Sequence, residues 1–456
     1  MAEDSPFGGM QAAANIWKSP ELKEKILFTL ICLALYRLGS HITTPGVDIA
    51  ALQQLAGQFQ GTLFGMYDMF TGGGLQRATL FALGIMPYIS ASIMFQLLGA
   101  VFPTIEKMQK EGEEGRRKIT QWTRYTTVAL CVMQAYGYSI FLESQPGAVP
   151  DPGWGFRFLT VLMLTTGGVY VMWLGEQITE KGIGNGMSLM IFFSILQGFP
   201  GAVVSTVELW QAGGIGFFKL VMLVLVLVAI VAGVVALTMA QRRIPVQIPR
   251  KVVGRGRVRE GQKSFIPLRV NSAGVMPIIF AQSIIIVPGT LYTFTGGGGG
   301  GATAGGIQGL LYDMSQMFQV GEPAYYITYS ILIIFFTYFY TSIIFNPVDL
   351  AENLKKQGGF IPGVKPGSAT AEYIDDVLTK ITLPGSVYLA IIAILPFWIF
   401  EIFDIQTFFF GGTSLLIVVG VGLDTVQKMQ QHLLLRRYEG FMKKGRVKMR
   451  GGQRYM

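Results

Sequence analysis

The side chains that could carry chemistry in this chain are few and scattered. Cys32 and Cys131 each sit inside a long apolar run, and His41 and His432 lie far apart. No CxxC or HExxH spacing occurs, so no metal site is expected. The two cysteines read as small buried thiols rather than a disulfide framework. There is no GxxxxGK[ST] phosphate loop and no GxSxG elbow, so neither nucleotide hydrolysis nor acyl transfer is expected, and no cofactor. Acidic residues gather at the ends of apolar segments, as Glu176, Glu180, Glu401, Asp404 and Asp424 do, without the buried stripe that an ion relay uses. What remains is the chemistry of exclusion. Ile85 and Ile89 lie one helical turn apart, as do Met187 and Ile191, so each pair can face one direction. A ring of such side chains makes a constriction that water avoids. From periodicity alone, ordinary helix packing is the better reading of these pairs.

The elements that must position these side chains are long and apolar. Apolar residues make up 51% of the 456 positions and charged residues 14%, against about 25% charge in an ordinary soluble domain. Mean hydropathy is +0.47. Ten segments approach the length of about 20 residues that crosses the hydrocarbon layer: 24–42, 76–100, 121–142, 156–176, 184–204, 217–239, 272–294, 325–345, 381–400 and 409–427. The first apolar run, Ile26–Leu38, leads into a loop rather than an Ala-x-Ala site. It reads as an anchor, not a cleaved leader.

Basic residues set the orientation. With the N-terminal tail and every second loop on one side, that side collects 32 of the 36 Lys and Arg. Arg37, Arg77, Arg157 and Lys219 are left on the other. One span more or fewer would flip every later loop, so the asymmetry supports ten spans with both termini in the cytoplasm. Two cytoplasmic loops are long and basic: QRRIPVQIPRKVVGRGRVR over 241–259 and NPVDLAENLKKQGGFIPGVKPG over 346–367. They read either as ordinary positive-inside loops or as a docking platform for a large, partly acidic partner, RNA included. Their length favours the platform.

Leu83-Gly84-Ile85-Met86-Pro87-Tyr88-Ile89 in the second span is echoed by Ala273-Gly274-Val275-Met276-Pro277-Ile278-Ile279 in the seventh. Both motifs fall in the second helix of a five-span half. An odd number of spans per half starts the second half on the opposite side of the membrane, so two similar halves would be inverted. The expected fold class is therefore all-α: a polytopic membrane protein with ten transmembrane helices in two inverted five-helix halves. The chain divides into a cytoplasmic segment 1–22, a first half 23–205, a second half 206–428 with cytoplasmic loops at about 240–270 and 346–380, and a basic cytoplasmic tail 429–456. Before the second span, FQGTLFGMYDMFTGGG over 59–74 is too short to cross. It is either a surface loop or a short helix folded back into a cavity, where a glycine-hinged plug is one role for it. Three function classes compete. A passive channel needs neither a nucleotide site nor buried ion ligands. A solute transporter needs polar groups in mid-membrane, for which Gln96, Gln134 and Gln282 are available. A membrane enzyme needs a catalytic constellation, and none is found.

Longer motifs decide among these. TPGVD (44–48), FALGIMPYISASI (81–93), EGEEGRRKITQWTRY (111–125), WLGEQITEKGIGNGMSL (173–189), QRRIPVQ (241–247), PLRVNSAGVMPIIFA (267–281), FNPVDLAENLKKQGGFIPGVKPG (345–367) and FFFGGTSLLIVVGVGLD (408–424) follow one another in order. Over roughly 18–445 the chain resembles the SecY/Sec61 alpha family, the central subunits of Sec protein translocons. The resemblance implies a protein-conducting channel in the bacterial plasma (inner) membrane, with two inverted halves around an hourglass pore. It implies a pore ring of Ile85, Ile89, Met187, Ile191, Ile279 and Ile417, with Met187 where isoleucine is common. It implies a plug at about 62–73 carrying Thr62, Leu63, Phe64, Met66, Tyr67, Met69 and Phe70. A lateral gate between spans two and seven would carry Ser90, Gln96, Asn271 and Gln282 and release hydrophobic segments into lipid. Arg242, Arg243, Arg255, Arg257, Lys355, Lys356 and Lys365 match surfaces that receive a SecA-like motor ATPase or the ribosome. Lys365 stands where the family commonly has arginine, which keeps the charge and loses the planar fork. SecE-like and SecG-like small subunits, signal peptides, nascent polypeptides and membrane lipid are the further partners implied.

Overall fold

Backbone surrounded by hydrocarbon must satisfy its hydrogen bonds internally, and the apolar runs accordingly coil into helices. The computed structural model describes residues 20–52, 63–247, 251–253, 257–259, 263–294, 309, 313–314, 316–319, 321–403 and 412–444. In chain order the helices are α1 (Pro20–Gly39), α2 (Leu63–Thr71), α3 (Met86–Val101), α4 (Pro103–Lys110), α5 (Glu113–Ser144), α6 (Trp154–Lys181), α7 (Gly186–Gln211) and α8 (Phe217–Met239). After four strands come α9 (Met276–Phe294), α10 (Pro323–Ile344), α11 (Pro347–Lys356), α12 (Ser368–Phe403) and α13 (Gly412–Lys444). Among the described residues five helices are long and apolar enough to cross a membrane by themselves. The chain is thus a predominantly helical, multi-pass membrane protein. Only 22% of the most apolar stretch of α8 is buried within the protein, so most of that surface faces lipid. Pro103 holds Phe102 in an extended conformation (φ −101°, ψ 114°), and α4 leaves α3 at 109°.

Each expected span overlaps a helix, but the second is shorter than its hydropathy suggests. From Gly72 to Ile85 the chain makes successive turns, and α3 begins only at Met86. The seventh span starts in the same way. Gly84 and Gly274 have φ of +55° and +65°, a region that glycine enters without strain. The motif methionine then opens the helix, with proline in the first turn where its missing N–H costs nothing. The sequence echo is therefore an echo of helix-start geometry.

Packing repeats as well. In the first part of the chain α1 lies on α6, α3 on α5, α5 on α6, and α6 on α7. In the later part α8 lies on α12, α9 on α10, α10 on α12, and α12 on α13. Taken in order, each contact of the first set has its counterpart in the second. The sets meet where α9 touches α3 and α5 and where α13 touches α7. Helix α7 runs past the expected boundary at 205 and ends at Gln211.

The two basic loops are more ordered than their composition suggests. In the first, β1 (Gln241–Gln247) pairs antiparallel with β4 (Lys263–Arg269), Gln241 opposite Arg269 and Gln247 opposite Lys263. The short strands β2 (Lys251–Val253) and β3 (Arg257–Arg259) pair beyond them. Ile244 and Val246 alternate inward, as a half-buried strand requires. They join Leu268, Ile361, Ile374, Val377, Leu378 and Ile381 in a small second core. The second loop is α11 followed by the first turns of α12. Gln247 and Phe360 exchange backbone hydrogen bonds of 2.9 and 3.0 Å, which tie the loops together.

Close helix approach depends on glycine. A Cβ on Gly167 in α6 would lie 1.9 Å from the carbonyl oxygen of Leu80, whereas one on Gly201 in α7 would meet nothing within 4 Å. Gly167→Ala should therefore cost about 1–3 kcal/mol and lower the melting temperature of the purified protein. Gly201→Ala should leave it unchanged or raise it slightly. Equal melting temperatures would show that α6 can move away from the 72–85 turns.

Candidate functional site

Helix α2 folds back into the protein, which resolves the two readings of this segment in favour of a buried helix. Phe64, Met66, Tyr67 and Phe70 are buried, and Met69 is partly so. Leu63 opens the helix, and Thr62 lies outside the described residues. Gly72 and Gly73, at φ +69° and +79°, reverse the chain after it. The turns that follow run through the interior without a helix or sheet to satisfy them, and side chains do so instead. Asp68 Oδ1 accepts from the N–H groups of Leu75 (2.8 Å) and Gln76 (3.0 Å) and from the Thr71 hydroxyl (3.4 Å). The Tyr138 hydroxyl donates to the carbonyl of Leu75 at 2.5 Å, and that of Tyr67 to the carbonyl of Leu83 at 3.0 Å. Thr44 donates its N–H and its hydroxyl to Ala78, each at 2.8 Å, and Leu80 donates to Ile42 at 2.7 Å. Burial pushes the Asp68 carboxyl up to about 6, against the opposing pull of the Gln76 and Leu75 amides, Thr71 and Arg77.

On its other side α2 rests against α7 and α9. There its polar contacts are to sulfur. Gln282 and Tyr325 donate to Met66 Sδ at 4.0 and 3.9 Å, and Ser414 donates to Met69 Sδ at 3.1 Å.

A cavity of about 420 Å³ opens between α3, α5, α6, α7, α9 and α10. Four of the six expected ring residues, Ile89, Met187, Ile191 and Ile279, line it together. Ile85 and Ile417 belong to the same apolar core without reaching the cavity. The remainder of the wall is polar. Arg124 on α5 grips Glu176 on α6 in a two-pronged ion pair, Nε to Oε1 at 2.9 Å and Nη2 to Oε2 at 2.8 Å, the strong geometry for this pair.

The expected gate residues are not gathered in one cluster. Gln96 lines the cavity, with its amide donating to Ser92 at 3.2 Å. Ser90 is half-buried on the same helix. Asn271 donates to the Gly274 carbonyl at 3.0 Å and lines a second cavity of about 260 Å³. Gln282 is fully buried and points at α2. On the basic face, Arg242 and Arg243 are exposed on β1, with Arg243 over the ring of Phe265 at 4.9 Å. Arg257 belongs to β3, and Arg255 lies outside the described residues. Lys355, Lys356 and Lys365 are exposed on the second loop, and Lys356 pairs with Glu352 at 3.5 Å.

A family model described as SecY matches residues 79–426. The chain belongs to the SecY family. Protein translocase subunit SecY of Escherichia coli K12 is 45% identical over 431 residues, covering 94% of this chain and 95% of its own. That of Streptomyces griseus is 46% identical over 447 residues, covering 95% and 99%. A solved structure addressing the plug domain of the SecY protein superposes with a TM-score of 0.65 at 19% identity, over 94% of this chain and 95% of that one. The structure of a protein conducting channel gives 0.63 at 18% identity, and these two likenesses are of fold. SecY membership makes the chain a channel subunit and not an enzyme.

Sequence reasoning missed Asp68, Tyr138, Tyr325, Ser414 and the Arg124–Glu176 pair. Asp68 had a signal: a lone acid in an apolar segment is a functional candidate by default. The tyrosines had none, because their partners are distant in sequence.

The raised Asp68 pKa has a definite sign. Protonation favours the seated α2, so this stabilisation is complete below the ordinary value of 3.8 and is lost as pH rises through about 6. Hydrogen-exchange protection of amides 63–71, corrected for intrinsic rates, should rise as pH falls from about 7 to about 5. Asp68→Asn should flatten that change. An unchanged slope in the variant would assign the pH dependence elsewhere.

Proposed function

We propose that polypeptides cross through the cavity lined by Ile89, Met187, Ile191 and Ile279, which α2 closes as a plug. The chain is a protein-conducting channel subunit of the SecY family, multi-pass in the inner membrane. The single observation that carries the pore reading is the lining of this cavity: isoleucines and a methionine from α3, α7 and α9 meet below polar groups from α5 and α6. Such an apolar constriction is poorly wetted, so it resists ions at rest. Flexible Met187 preserves the seal where the family commonly has isoleucine. Ile85 and Ile417 complete the ring from the adjoining core.

The ten helices α1, α3, α5, α6, α7, α8, α9, α10, α12 and α13 act as ten spans in two inverted halves, 23–205 and 206–428. The matched packing order and the paired Gly-x-Met-Pro helix starts support this. Both termini then lie in the cytoplasm, as the basic loops require. The contact of α3 with α9 serves as the lateral gate, with Ser90, Gln96, Asn271 and Gln282 beside it. Hydrophobic segments leave there because they gain free energy in lipid, while polar chain stays in the aqueous path. SecE-like and SecG-like helices pack outside the two halves. A SecA-like motor or a ribosome supplies the drive, received on Arg242, Arg243, Arg255, Arg257, Lys355, Lys356 and Lys365.

A photoreactive residue at Ile89, another at Ile279, and a control at exposed Val228 on α8 test the path. With a secretory polypeptide arrested midway, both cavity sites should crosslink to it and the control should not. Transport without either crosslink would return these isoleucines to simple packing. For docking, the double variant Arg242→Glu, Arg243→Glu should slow partner association about 10-fold at low salt, and less as salt screens the charges. A salt-independent defect would mean that the β1–β4 ribbon had been distorted.

A further inference from the structure

The two sides of α2 are held by unlike chemistry. Toward helices of the first set the acceptors are oxygens: the Asp68 carboxylate takes two backbone N–H groups, and carbonyls of Leu75 and Leu83 take tyrosine hydroxyls. Toward the second set the acceptors are thioether sulfurs. Gln282 of α9 and Tyr325 of α10 converge on Met66, and Ser414 of α13 meets Met69. A thioether is a weak acceptor, so these contacts give up less when broken. Gln282 also carries an amide oxygen with no hydrogen-bond partner among the described residues, although the residue is fully buried. The closed state therefore already holds one unmet acceptor at this seam.

We propose that Met66 and Met69 are the positioning residues that set how readily the channel opens: their sulfurs satisfy buried donors of the second half just well enough to seat α2, and form the seam along which it releases. This rests on reading α2 as the plug. Met66 is itself buried, so the donors that face it have no water to turn to while α2 is seated. Removing the sulfur alone leaves donors unmet, whereas removing donors and sulfur together leaves an apolar seam.

The test is the resting ion leak of the purified channel in vesicles, together with transport of a substrate lacking a functional signal segment. Met66→Leu conserves volume and should raise the leak roughly 5-fold, the effect of one lost hydrogen bond. The triple variant Met66→Leu, Gln282→Leu, Tyr325→Phe should return toward the parent leak, a recovery that a purely volumetric role of Met66 would not give. Phe70→Glu, which places a charge in the buried face of α2, serves as the control for the plug reading. A leaky Phe70→Glu with a tight Met66→Leu would overturn the sulfur seam and keep the plug. A leaky Met66→Leu that the triple variant does not repair would also overturn it. If Phe70→Glu and Met66→Leu are both tight, the plug reading fails and the seam with it.

Discussion

Between Gly72 and Ile85 the chain is neither helix nor strand, yet it lies inside a membrane protein, where each unsatisfied backbone group is costly. Asp68, Tyr138, Tyr67 and Thr44 supply the missing partners. This network holds up the rest of the channel. It lets α3 begin late, at Met86, which leaves room beside it for α2. It also brings the Leu80 carbonyl so close to α6 that only glycine fits at position 167. A regular helix from residue 76 would satisfy its own backbone and would have no need of these side chains.

The central cavity shows how a channel can be both sealed and passable. Its ring residues come from helices of both packing sets: Ile89, Met187 and Ile191 from the first and Ile279 from the second. A seal shared between two bodies opens when they part, with no need for any side chain to change its chemistry. The Arg124–Glu176 pair joins α5 to α6 within the first set alone. It can therefore stiffen one wall of the cavity without resisting separation of the two.

On the basic face, positive charge is mounted on a folded unit. The β1–β4 ribbon, the Gln247–Phe360 bridge and the small core beneath them join both loops to α12. Helix α12 continues for 36 residues from this unit into the membrane domain. A load applied to the arginines is thus borne by packed apolar side chains rather than by a slack tether.

Much of this was legible in the sequence, because hydrocarbon imposes a one-dimensional rule. A segment in lipid must be apolar and about 20 residues long, and charge counts orient the loops, so span number, loop character and the Gly-x-Met-Pro echo could be read without coordinates. The ordered motifs carried the family. Tertiary structure alone decided what depends on partners remote in the chain. The reading left 59–74 as loop or helix, because a nine-residue helix takes its stability from what it packs against. It grouped Gln282 with the gate, where contacts across more than two hundred residues turn it toward Met66. It saw loops where a ribbon forms, since strand pairing between residues 241 and 269 leaves no periodic mark stronger than the surrounding charge. Local composition fixes what each segment can be, and the arrangement of distant neighbours decides what it does.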